Sequence, residues 1–114
     1  MTDTTGLVTA SPAVVLDGVA APLISFAQHL ALLHKLLFGT DMVITSGKDS
    51  IHVASSLHGQ GLALDIRTKD KTDAACVLLL SVLAYGGPEN GIAVFDERAL
   101  GDQAHIHVEY HGKV

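Results

Sequence analysis

The chain has 114 residues, a length that can bury one hydrophobic core but leaves no room for a second domain. Hydrophobic residues make up 48% of it and aromatic residues only 4%, which excludes a disordered protein and predicts a core of Leu, Val, Ala and Ile. The formal net charge is −5 with only seven Lys and Arg residues, so the composition argues against nucleic-acid binding, which needs clustered cations.

The first predicted element after an N-terminal arm, residues 1–20, is a core helix. Pro22 suits a helix start, the apolar residues that follow fall on one helical face, and Gly39 suits its end. A short, β-branched and glycine-terminated strand then begins at Met42. The segment 48–61 is rich in Ser, Gly and His, which is typical of a functional loop.

A second helix is predicted within residues 69–87. Asp70 or Thr72 could be its N-cap, and Gly86 or Gly87 could end it. The single cysteine lies in the apolar run of this helix, so we expect a buried structural thiol and no internal disulfide.

Alternating apolar residues predict three further strands, over 62–68, 91–97 and 104–112. Together these elements predict a single α+β domain in which two principal helices pack on one face of a small, mainly antiparallel sheet. His29 and His34 lie about 140° apart around the first helix and are expected to be boundary or surface residues.

The histidines and one aspartate carry the chemical information. The strand period of two puts His105, His107 and Glu109 on one face of the last strand, and Asp65 alternates in the same way with its apolar neighbours. If these strands are neighbours, His58, Asp65 and one histidine of the last strand could converge on a metal. Two imidazole nitrogens and one carboxylate oxygen suit Zn²⁺ and leave an open position for water, which is the catalytic arrangement.

The base that would accept a proton from such a water stays open between His105 and Asp102. His52, in the loop that leads to His58, could reach a substrate or lie in solvent. Gly61 could let this loop turn sharply, because glycine adopts backbone conformations that other residues avoid.

Two stretches, "ITSGKDSIHVASSLHGQGLALDIRT" and "DQAHIHVEY", resemble the M15-type zinc peptidases. These include D-alanyl-D-alanine carboxypeptidases and phage L-alanyl-D-glutamate endopeptidases, and their metal site is related to that of the hedgehog domain. The resemblance covers residues 42–68 and 102–110, with an S-x-H-x-x-G-x-A-x-D motif and a late H-x-H strand. It implies a hedgehog/DD-peptidase-like fold and one zinc peptidase catalytic domain over residues 1–114.

The resemblance also implies roles for single residues. His58, Asp65 and His107 would be the zinc ligands, and His105 would contact the reacting water or oxyanion. Relatives place an acidic general base three residues before the ligand histidine. That position is Ala104 if His107 is the ligand, but Asp102 if His105 is.

Three further residues would contact substrate. Ser56 matches the serine of the family motif, two residues before the first ligand. Lys48 stands where relatives often have an arginine, and it could offer a cation to a substrate carboxylate without bidentate geometry. His52 is the third member of this group.

The implied function is hydrolysis of an amide bond in bacterial peptidoglycan peptides, in an endolysin-type enzyme of a phage or prophage. The sequence has no run of 18 apolar residues and no recognisable signal peptide, so we expect synthesis in the host cytoplasm, no membrane insertion, and action on the cell wall after release. The alternatives are a non-catalytic, hedgehog-like metal-binding interaction domain, which the alanine at position 104 favours, and a structural virion protein.

Overall fold

The sheet has five strands in the order β1-β2-β3-β5-β4. The computed structural model describes residues 3–48, 57–58, 60–69, 71–99 and 104–112. Within them, β1 pairs in parallel with β2, and the other three pairings are antiparallel. The strands are β1 (Val8–Thr9), β2 (Val43–Ser46), β3 (Ala63–Arg67), β4 (Ile92–Glu97) and β5 (His105–Tyr110).

Two α-helices, α1 (Ala21–Phe38) and α2 (Asp73–Gly86), were both predicted from the sequence, and both are confirmed. Pro22 lies in the first turn of α1, and Gly39 ends it in the left-handed conformation with φ +70°. The N-cap of α2 is Thr72, whose side-chain oxygen accepts a hydrogen bond from the Ala75 amide.

The core lies between the helices and one face of the sheet. Leu23 and Leu30 of α1 and Leu79 and Leu83 of α2 belong to the same buried cluster as residues of the four longer strands, among them Ile44, Leu64, Ile66, Ile92, Ile106 and Val108. Both helices therefore cover the same sheet face, as the sequence predicts, and Cys76 is buried as expected. The α+β class with two helices and a mainly antiparallel sheet is confirmed.

The N-terminal arm takes a larger part in the fold than the sequence indicates. Its residues Val8 and Thr9 form the edge strand β1, and Leu16 and Val19 are buried in the core. A two-residue strand shows no alternation that could predict it, because the pairing with β2 determines it.

The expectation that His34 lies at the surface is wrong. Its side chain is buried, with its Nδ1–H donating to the Thr40 carbonyl at 2.9 Å and its Nε2 accepting from Lys71 Nζ at 3.0 Å. Because both ring nitrogens have partners, the imidazole can be buried without losing hydrogen bonds. His29 is exposed, as predicted.

Helix α1 has 18 residues and a mean hydropathy of 1.2, so by length and composition alone it could cross a membrane. Core helices have the same properties, and a third of its residues are buried here. The absence of membrane insertion stays a prediction.

Gly61 provides the sharp turn that the sequence suggests after His58. Its φ is +74°, and a Cβ at this position would lie 2.2 Å from the Gly18 carbonyl oxygen. We expect Gly61→Ala to lower the free energy of unfolding by roughly 3–4 kcal/mol, from left-handed strain together with this overlap. Gly39→Ala is the matched control, because Gly39 has a similar φ and open space around it, and it should cost only about 1–2 kcal/mol.

Urea denaturation of the two variants provides the comparison. Equal losses of stability in both would show that the close approach of Gly18 to Gly61 does not constrain the turn.

Candidate metal centre

The sheet face opposite the helices carries the polar side chains that the sequence singled out. In the β3–β5 ladder Asp65 pairs directly with His107, and Arg67 pairs with His105. On the other side of β5, β4 places Phe95 opposite His107 and Glu97 opposite His105. The alternation of strand residues therefore brings His105, His107 and Asp65 onto one face, as predicted.

His58, Asp65 and His107 form a compact group in which one ligand atom from each lies within 4.8 Å of the others. Asp65 Oδ1 is 3.2 Å from His58 Nε2 and 2.7 Å from His107 Nδ1. Their side chains are 13%, 16% and 15% exposed in chain order, so the group is shielded and still reachable from solvent. The structure therefore assembles the three ligands that the resemblance implies.

The outer nitrogen of each histidine has its own hydrogen-bond acceptor. His58 Nδ1–H donates to the Gly47 carbonyl at 2.9 Å, and His107 Nε2–H donates to Glu109 Oε1 at 2.9 Å. Such outer partners fix the tautomer and orientation of metal-binding histidines, so that the inner nitrogen faces the metal. The donor set of two imidazoles and one carboxylate fits a divalent metal such as Zn²⁺.

The hydrogen bonds between Asp65 and the two histidines favour the charged form of each side chain. Burial raises the pKa of the Asp65 carboxyl, but the hydrogen bonds from His107 and His58 outweigh burial and hold that pKa well below its usual range. The hydrogen bond to Asp65 raises the pKa of both imidazoles above the ordinary value, although burial acts in the opposite direction. In the metal-free protein, hydrogen bonds from the two imidazoles to Asp65 therefore connect the groups that a cation would join.

A bulge in β2 helps to bring His58 to the sheet. The β2–β3 register shifts between Ile44 and Ser46, so that Ser46 lies opposite Asp65. Ser46 Oγ is 3.4 Å from His58 Nδ1, and the neighbouring Gly47 supplies the carbonyl that His58 contacts. The end of β2 thus positions His58, a candidate ligand that lies in a turn and not in a strand.

His105 lies beside this group. Its Nε2 is 3.5 Å from Asp65 Oδ1 and 3.1 Å from Glu97 Oε1. It is close enough to the candidate ligands to exchange a proton with a group bound there. Its role as the catalytic helper stays a prediction.

Of the four remaining predicted site residues, the structure describes only Lys48. Lys48 is exposed, and its side chain lies over Gly18 of the N-terminal arm. His52, Ser56 and Asp102 lie outside the described residues. Their predicted roles, and that of Lys48 in substrate binding, stay predictions.

Sequence reasoning gave no role to Glu97 and none to Glu109. Glu97 contacts His105, and Glu109 bridges His107 and His111, whose Nε2 is 2.8 Å from Glu109 Oε2. The alternation of "HIHVEY" already placed Glu109 on the site face. The position of Glu97 beside His105 follows only from the β4–β5 register.

An open groove of about 500 Å³ runs along β4 beside the candidate ligands. It is lined by Val94, Phe95, Asp96, Glu97, His107 and Glu109. A slightly larger, mostly apolar cavity lies between α1, α2 and Tyr110, and no candidate ligand lines it. Of these two cavities, the β4 groove is the one that a candidate ligand, His107, lines.

Glu109→Gln should weaken zinc binding by about tenfold or more. The amide can still accept the His107 Nε2–H bond, but without the negative charge it no longer raises the basicity of that ring. Zinc titration against a competing chelator measures the loss, and Glu89→Gln, on an exposed residue of the 3-10 helix Pro88–Asn90, should change nothing. Equal zinc affinity in wild type and Glu109→Gln would contradict this role.

Comparison of the chain with protein-family models, with curated proteins and with solved structures finds no match.

Proposed function

We propose that the protein is a zinc-dependent peptidase that cleaves an amide bond in the peptides of bacterial peptidoglycan. The observation that carries the proposal is the convergence of His58, Asp65 and His107 on one partly shielded sheet face beside an open groove. The resemblance of the two sequence motifs to M15-type peptidases supports the reaction and the substrate class.

With His58, Asp65 and His107 as its ligands, a zinc ion would keep a fourth coordination position open for water. Bound there, zinc would supply a Lewis acid and lower the pKa of a coordinated water from about 15.7 to about 7. Among the residues that the structure describes, this group offers three ligands, which is the number typical of catalytic zinc sites, whereas structural sites use four. We therefore favour catalysis over a structural role.

The chain's own residues supply the proton chemistry. His105 Nε2–H donates to the Glu97 carboxylate at 3.1 Å, and this hydrogen bond orients the ring beside the candidate ligands. His105 can thus accept a proton during attack and return it to the leaving amine. Glu109 and the Gly47 carbonyl keep the two ligand histidines oriented throughout.

The groove along β4 supports an extended peptide as the substrate. Phe95 is 48% exposed, and its ring centroid is 5.9 Å from that of His107. It offers an apolar surface next to a polar centre, which is the combination that small peptide substrates require. The scissile amide would lie over His107 with a neighbouring side chain against Phe95.

The test is digestion of purified peptidoglycan and defined stem peptides by the zinc-loaded full chain, with mass spectrometry of the products. A single new pair of termini, lost with chelator and restored by zinc, would support the proposal and identify the bond. Stoichiometric zinc without cleavage of any stem peptide would overturn it in favour of a non-catalytic metal-binding interaction domain.

A further inference from the structure

A second group of metal-ligating side chains lies next to the first on the same sheet face. Glu97, His105 and His107 each offer a ligand atom within 4.8 Å of the others. Glu97 and His105 are direct partners in the β4–β5 ladder, so the backbone pairing fixes their separation. The proposed hydrolysis needs only one metal, so it does not require this second group to bind an ion.

Two distances at His105 match those between the ligands of one metal ion. Ligand atoms about 2.0–2.1 Å from a tetrahedral ion lie about 3.3 Å from one another. His105 Nε2 is 3.1 Å from Glu97 Oε1 and 3.5 Å from Asp65 Oδ1. A cation beside His105 Nε2 could therefore contact this ring and either carboxylate at ligand spacing, and movement of the two acidic side chains toward each other would bring both to it.

His107 cannot serve both groups through the same nitrogen, and its outer nitrogen already donates to Glu109. Asp65 can serve both, because its Oδ1 lies near the ring nitrogens of all three histidines on this face. A shared carboxylate is compatible with the spacing of about 3.5–4 Å between ions in two-metal hydrolase sites.

We propose that this face binds a second divalent cation, with Glu97 and His105 as its own ligands and the Asp65 carboxylate shared with the first site. Arg67 lies opposite His105 in the ladder, and its positive charge makes this the weaker of the two sites. We therefore expect the first site to fill at a lower metal concentration than the second. The inference rests on ligand geometry and not on the proposed peptidase activity.

Filling the second site would place the ion on His105 Nε2, the nitrogen that lies between Glu97 and Asp65. The second ion would thus replace a proton shuttle by a fixed positive charge. At a given metal concentration, the occupancy of this site would then determine whether His105 transfers a proton or holds the second ion.

The test is zinc stoichiometry of the untagged full chain, by equilibrium dialysis over a range of buffered free zinc followed by elemental analysis. Wild type should bind about two ions per chain in two resolved steps. Glu97→Gln should lose the weaker step, with an affinity loss of at least about tenfold, and retain the tighter one. Asp96→Asn is the matched control, because Asp96 is the adjacent residue on the opposite face of β4 and pairs with Arg98.

Each outcome decides the inference. Loss of the weaker step in Glu97→Gln alone supports it, whereas one ion per wild-type chain at saturation, or two ions in Glu97→Gln, overturns it. Zinc that exposed histidines bind adventitiously would be unaffected by Glu97→Gln. Such binding would give two ions in Glu97→Gln and would therefore overturn the inference. Failure of the peptidoglycan digestion with only the tighter step filled would overturn the proposed function and leave this inference standing.

Discussion

Asp65→Asn is expected to release the tightly bound metal and to abolish peptidoglycan hydrolysis. The substitution keeps the shape of the side chain but removes the charge that lies 3.2 Å from His58 and 2.7 Å from His107. Loss of a ligand costs more than loss of an outer-shell partner, so zinc affinity should fall by more than about a hundredfold. Activity should fall in proportion at a zinc concentration that just saturates the wild type.

Elemental analysis and peptide digestion of the same preparations measure both effects. Asp41→Asn is the control, because Asp41 forms an exposed ion pair with Lys35 at 3.3 Å and should change neither property. Circular dichroism checks that Asp65→Asn still folds. Stoichiometric zinc at unchanged affinity in a folded Asp65→Asn protein would rule out this metal centre.

The metal-free and zinc-loaded proteins should respond to pH in opposite directions. The hydrogen bond to Asp65 raises the pKa of His58 and that of His107 above the ordinary value of an imidazole. A histidine with a raised pKa stabilises the fold fully below the unfolded pKa, and this contribution is lost as pH rises through the folded pKa. The metal-free protein should therefore lose stability as pH rises from about 6.5.

Zinc reverses this dependence, because it binds only after both imidazoles have lost their inner protons. Zinc affinity should rise by up to about a hundredfold per pH unit while two protons are released, and the stability of the loaded protein should rise with it. Asp65 does not change charge in this range, since its pKa lies well below its usual range. The two histidines thus account for the pH dependence of stability in both the metal-free and the zinc-loaded protein.

Melting temperatures from pH 5.5 to 8.5, with chelator and with excess zinc, test this prediction. The His58→Ala, His107→Ala double variant removes both histidines, so its melting curves should lose the divergence. Parallel pH profiles for the chelated and zinc-loaded wild type would contradict the assignment of these histidines as ligands.

The sequence predicts the parts of the fold that depend on local patterns. The alternation in "LALDI" and "HIHVEY" assigns Asp65 and His107 to the face opposite the core, and Pro22 and Gly39 bound the first helix, as observed. These features depend on side-chain periodicity and backbone conformation, which neighbouring residues determine.

Other parts depend on partners that are remote in the chain. His34 is buried because Lys71, 37 residues away, reaches its ring. Glu97 joins the site only because β4 and β5 pair in one register, and no pattern within "IAVFDE" determines that register. The third ligand shows the same limit, because alternation places His105 and His107 on one face and only the strand pairing brings His107 to Asp65.

The strand order has a consequence for how the chain is made. Asp65 and His107 are 42 residues apart, and β5 lies between β3 and β4, both of which leave the ribosome before it. Until β5 is synthesised, the two earlier strands have unpaired edges facing each other, and Asp65 lacks His107. A nascent chain that still lacks β5 therefore cannot assemble the candidate metal centre, and the step that joins the two halves of the sheet also brings its residues together.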